Sequence, residues 1–64
     1  VTLTRLDAAI AALPEGLKAP LLLSLTGETS YREIGEILGL TAKAVEVRIY
    51  RARRALAAAM GAPP

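Results

Sequence analysis

Five of the eight basic residues in this 64-residue chain crowd into one stretch near its end: Lys43, Arg48, Arg51, Arg53 and Arg54, with Tyr50 and one carboxylate, Glu46, among them. At 100° of rotation per residue, a helix there places Lys43, Val47, Tyr50, Arg51 and Arg54 on one arc. Ala44 and Arg48 flank that arc on one side, Glu46 and Arg53 on the other. Val45, Ile49, Ala52 and Leu56 share a narrow opposite arc and form the inward face. The chemistry of such an outer face is donation to anionic oxygens and to the acceptor edges of bases. Catalysis is not indicated, because the chain has no histidine and no cysteine and its carboxylates are scattered, so no nucleophile and base can be paired.

The charge is divided unevenly along the chain. Residues 1–40 hold three basic against five acidic side chains, a net of −2, whereas residues 41–64 hold five basic against one acidic, a net of +4. A polyanion is therefore drawn to the C-terminal end. Two blander readings compete for the basic face: plain solvation, and compensation of a helix C-terminus. Arg51, Arg53 and Arg54 precede the expected helix end near Met60 by more than a turn, which weakens the second. A membrane-surface helix is disfavoured because the last segment is rich in alanine and holds no Trp or Phe.

The elements that must position these residues are helices. Thr4 followed by Asp7 fits a capping box, and Leu3, Leu6, Ile10 and Leu13 recur at helical spacing, which predicts a first helix ending before Pro14. A second starts at Leu13-Pro14-Glu15, with proline at the first helical position where its missing N–H costs nothing, and runs to Thr26-Gly27. Pro20 either kinks it or delays its start. A third opens with the capping box Ser30-x-x-Glu33 and carries Ile34, Ile37 and Leu38 as its inner stripe. Gly35 is expected to let the next helix cross closely, and Gly39 to take positive φ in the turn. Thr41 then caps the fourth helix. The fold class is all-α: a small four-helix domain whose residues 30–58 form a C-terminal helix-turn-helix with a basic second helix, suited to the DNA major groove.

A chain of this size buries only about 60% of its unfolded surface, so the core is modest and helix packing must supply the stability. No disulfide framework or usual zinc ligand set exists, and no cofactor is expected. The run Ala19 to Leu25 is too short to span a bilayer and contains Pro20 and Ser24. The opening Val-Thr-Leu-Thr-Arg has no signal-peptide build, and a cytoplasmic location is expected. The missing initiator methionine and the Gly-Ala-Pro-Pro tail suggest a fragment with domains missing upstream.

Leu13-Pro14-Glu15, Ala19-Pro20-Leu21-Leu22-Leu23, the run from Gly27 to Thr41 with Ser30-Tyr31-Arg32-Glu33-Ile34-Gly35-Glu36-Ile37-Leu38-Gly39, and Val45-Glu46-Val47-Arg48-Ile49-Tyr50-Arg51-Ala52-Arg53 together resemble region 4 of bacterial sigma factors of the extracytoplasmic-function (ECF) group. The resemblance covers nearly the whole of residues 1–64 and includes irregular features, such as the Arg-Ala-Arg after Tyr50. It implies a domain that recognises the −35 promoter element and docks on the flap of the RNA polymerase β subunit, with an anti-sigma factor as a further partner. It implies no catalysis, no membrane and no small-molecule substrate.

The resemblance carries the base-reading positions to Lys43, Glu46, Val47, Tyr50 and Arg51. Lys43 and Arg51 have the chemistry to donate to guanine O6 and N7, Tyr50 to pack on a thymine methyl or sugar, and Glu46 to accept from cytosine N4. Phosphate contacts fall to Arg32, Arg48 and Arg54, assisted by Ser30, Thr41 and the helix N-termini. Arg48 has an alternative, pairing with Glu33 or Glu36. Glu46 has one too, as a solvated carboxylate paired with Tyr50 or Arg53 or neutralised by Lys43. Family members often carry a basic residue in place of Glu46 and a serine in place of Val47, so two of the five reading positions depart from the pattern.

Two readings from other classes remain. A sigma-like module that binds an anti-sigma factor instead of DNA would tolerate Glu46, and Leu21, Leu22, Leu23 and Leu25 suit burial against a partner. A response-regulator effector domain has the same helix-turn-helix but usually dimerises, so a two-fold symmetric footprint would mark it.

Overall fold

The computed structural model describes residues 4–61, all of whose regular structure is helical: α1 (Arg5–Ala11), α2 (Glu15–Ser24), α3 (Tyr31–Leu38) and α4 (Ala42–Ala59). Leu3, assigned to the first apolar stripe, and the residues after Gly61 lie outside that range.

Each helix starts where local chemistry directs it. Thr4 and Asp7 form a reciprocal capping box: Thr4 Oγ1 accepts from the Asp7 N–H at 3.1 Å and Asp7 Oδ2 accepts from the Thr4 N–H at 3.0 Å. Ser30 and Glu33 repeat the device at α3. Thr41 Oγ1 caps α4 by accepting from the Ala44 N–H at 3.0 Å. At α2 Pro14 is the cap and not the first helical residue that was expected, and its carbonyl accepts from the N–H groups of Leu17 and Lys18, each 2.9 Å away.

The α3–α4 turn depends on two glycines for different reasons. Gly39 sits at φ 72°, the left-handed conformation that ends the helix, and both it and Leu40 donate back to the Gly35 carbonyl. Gly35 is buried, and a β-carbon on it would run into the Leu40 carbonyl oxygen and come within 3.2 Å of the Leu40 carbonyl carbon and 3.3 Å of that of Thr41. The close approach at Gly35 is therefore to the turn itself, not to the body of the last helix.

The core is built around α4, which packs against α2 and α3 and more lightly against α1. Val45, Ile49 and Ala52 are buried and meet Leu13, Leu21 and Ile34, with Leu17, Leu23, Leu38, Leu40 and Leu56 packed around them. Four expectations need correcting. Leu56 is half-buried: it packs against the core cluster without being enclosed by it. Ile37 is 63% exposed: contact at Gly35 rotates α3 so that its buried arc runs through Ile34, Leu38 and Gly35, roughly 100° from Ile37. Leu6 is 45% exposed, because α1 packs only lightly on the rest of the fold, chiefly on α4, and Leu13 in the α1–α2 link supplies the buried contact. Finally, α2 ends at Ser24, whose side-chain hydroxyl donates to the Leu21 carbonyl at 2.7 Å, and Gly27 adopts its φ of 73° three residues later in the loop.

Candidate nucleic-acid interface

The α3–turn–α4 unit holds the outer face of α4 away from the core, because Val45, Ile49 and Ala52 anchor the opposite side. Lys43, Glu46, Tyr50, Arg51, Arg53 and Arg54 are all exposed, and Val47 is half-buried among them. The expected reading positions thus line one side of one helix, beginning in its first turn.

Their interactions are local. Lys43 Nζ lies 3.6 Å from Glu46 Oε2, so the single carboxylate of the face is neutralised by the lysine three residues before it. Arg54 Nη1 donates to the Tyr50 hydroxyl at 3.1 Å, and its guanidinium carbon stands 5.8 Å from the ring centroid. That hydrogen bond raises the Arg54 pKa, and the guanidinium over the ring face adds a cation–π contact to it. Arg51 and Arg53 have no ion-pair partner among the described residues. Both groups keep their donors available.

The candidate phosphate contacts occupy the rims. Arg32, in the first turn of α3, is exposed and loosely paired with Glu36 at 3.5 Å. Ser30 and Thr41 spend their hydroxyl oxygens as acceptors in the caps of α3 and α4, which leaves each hydroxyl proton to donate outward. They stand beside the two helix N-termini, whose unpaired N–H groups favour anions.

Arg48 goes elsewhere. It is half-buried, and its Nη1 donates to the Gly16 carbonyl at 3.1 Å, 32 residues away in sequence, while neither Glu33 nor Glu36 pairs with it. Every other side-chain hydrogen bond among the described residues stays within four residues. Sequence reasoning had not found Gly16, although a signal was present: Pro20, four residues on, has no N–H to offer that carbonyl.

No helix among the described residues is long and apolar enough to cross a membrane. Of the leucines expected to face a partner, Leu21 is buried in the core and Leu23 half-buried, whereas Leu22 and Leu25 are 45% and 61% exposed.

A family model described as sigma-70, region 4 matches residues 3–56, which takes in α1 to α3 and most of α4. Searches of curated proteins and of solved structures return no match.

Proposed function

The chain belongs to the sigma-70 region 4 family, whose domains recognise promoter DNA at the −35 element and contact RNA polymerase, and on that premise we propose that residues 1–64 form the promoter-reading domain of an ECF-type sigma factor acting in the cytoplasm. The helix-turn-helix of residues 30–58 lays α4 in the major groove. Lys43 and Arg51 read guanines, Tyr50 and Val47 pack on thymine methyls or sugars, and Glu46 accepts from a cytosine amino group. Arg32 and Arg54 hold phosphates with the help of Ser30 and Thr41.

The observation that carries this reading is the outer face of α4. Its cations are exposed, its one carboxylate is neutralised within the helix, and the opposite side is locked into the core. A merely solvated face would not be set on the second helix of a helix-turn-helix with both N-terminal caps beside it. The flap of the RNA polymerase β subunit and an anti-sigma factor are the protein partners, and the exposed Leu22, Leu25 and Ile37 are apolar surface for them to cover.

Selecting bound duplexes from a random pool with the intact protein tests the assignment. An asymmetric consensus of a few adjacent base pairs, bound more weakly as salt rises, supports it. A two-fold symmetric consensus would instead mark a dimeric regulator, and no enrichment at all would leave a protein-binding module.

A further inference from the structure

Three residues on two helices fit together in a way that DNA contact does not require. Pro20 lies inside α2, buried, and the helix continues through it from Glu15 to Ser24. Proline has no N–H, so the carbonyl of Gly16, four residues earlier, loses its helical donor, and the ring crowds that carbonyl away from the helix axis. The Arg48 guanidinium of α4 supplies the missing donor at 3.1 Å. Gly16 in turn leaves the space: a β-carbon there would come within 2.8 Å of Arg48 Nη1. Missing donor, missing side chain and incoming guanidinium meet at one carbonyl.

We propose that Arg48 is a positioning residue: by occupying the Gly16 carbonyl that Pro20 leaves open, it ties α4 to α2 and sets the angle at which the outer face of α4 meets DNA. The proposal rests on the DNA-reading function above but assigns Arg48 a different task from a phosphate clamp. One side of α4 is already held by Val45, Ile49 and Ala52, which are apolar and do not resist sliding or rotation by a hydrogen-bond's directionality. The Arg48–Gly16 bond is directional, and it sits on the flank between the buried arc and the reading arc. Among the described residues it is the only side-chain hydrogen bond joining two helices, so nothing of the same kind duplicates it.

The test uses Arg48→Met, which keeps most of the aliphatic stem and removes the donor, alone and combined with Pro20→Ala, which returns a backbone N–H to the Gly16 carbonyl. In the intact protein Arg48→Met should weaken promoter-duplex binding about fivefold, the worth of one hydrogen bond, with the dependence of log K on log salt unchanged. The Gly16 carbonyl carbon resonance should move toward its non-bonded position. In the Pro20→Ala background the same substitution should cost markedly less affinity. A salt dependence shallower by about 1 on losing Arg48, equal in both backgrounds, would make Arg48 a phosphate clamp and overturn the proposal. An unmoved Gly16 resonance would overturn it as well. If Pro20→Ala does not fold, the salt dependence and the Gly16 resonance of Arg48→Met still decide. Absence of any duplex binding by the wild type at low salt would end the DNA-reading function and the positioning role with it, while the Gly16 resonance would report separately whether the bond between the helices exists.

Discussion

Lys43 and Glu46 form an ion pair of 3.6 Å on the first turn and a half of α4, with both side chains more than half exposed. The pair contributes little to stability at such exposure. Its consequence is for recognition, because a carboxylate facing a phosphate-rich groove repels DNA unless a cation or a cytosine amino group offsets it.

Changing Glu46 to Gln or Arg should therefore raise affinity for non-specific duplex, since the repulsion goes and Lys43 is released to the DNA. Discrimination between promoter and scrambled sequence should fall at the same time if Glu46 reads a cytosine. Titrations against both duplexes at two salt concentrations check this. Unchanged affinity for both would place Glu46 outside the interface.

Arg51 and Arg54 should separate reading from positioning on phosphate. Arg51→Ala is expected to cost about 1–3 kcal/mol on the promoter duplex and to relax preference at one base pair, whereas Arg54→Ala should weaken all duplexes alike and make the salt dependence shallower by about 1. Because Arg54 is bonded to the Tyr50 hydroxyl, Tyr50→Phe serves as the control for loss of that contact alone. Equal losses on promoter and random DNA for both arginine variants would remove Arg51 from the reading set.

Val45 is fully buried between α4 and its neighbours, so Val45→Asp places an unpaired charge in a small core. The cost exceeds the stability margin of a domain this size, and the variant should lose its helical circular dichroism and its cooperative melting transition. Retention of both would show that the inward face of α4 is misassigned.

The two turn glycines should respond differently to substitution. Gly35→Ala drives a methyl into the Leu40 carbonyl, a backbone atom that cannot swing aside, and should lower stability by about 1–3 kcal/mol. Gly39 has open space but a φ of 72°, so Gly39→Ala should cost roughly 1 kcal/mol, and Gly39→Asn less, because asparagine tolerates the left-handed region. Thermal unfolding of the three variants ranks them.

Acid should loosen α1 first through Asp7. Its carboxylate accepts the Thr4 backbone N–H and interacts with the Thr4 hydroxyl, and these hold its pKa below the ordinary value of 3.8. A carboxylate whose pKa is depressed in the folded state contributes stability that is present above the unfolded value and is lost as pH falls through the folded one. The α1 cap should thus persist down to about the ordinary value and fail below it, and Asp7→Asn should abolish that pH dependence. Following the Thr4 amide resonance during acid titration measures the effect.

What the sequence determined was whatever depends on residues within two turns of each other. The capping pairs Thr4–Asp7 and Ser30–Glu33, the Thr41 cap, the left-handed Gly39 and the inner arc Val45, Ile49 and Ala52 all follow from hydrogen bonds and periodicity spanning three to seven residues, and the structure places them as expected. The outer face of α4 was legible for the same reason, as the complement of a well-defined apolar arc. Tertiary packing decided the rest. Whether α3 buries Ile37 or Gly35 depends on how closely the Leu40–Thr41 turn approaches, which no helical period encodes. Whether Leu6 finds cover depends on how many helices reach α1. The partner of Arg48 lay 32 residues away: a long flexible guanidinium has many acceptors within reach of its sequence neighbours, and only the packing of α4 on α2 brings it to the one carbonyl that Pro20 had left without a donor.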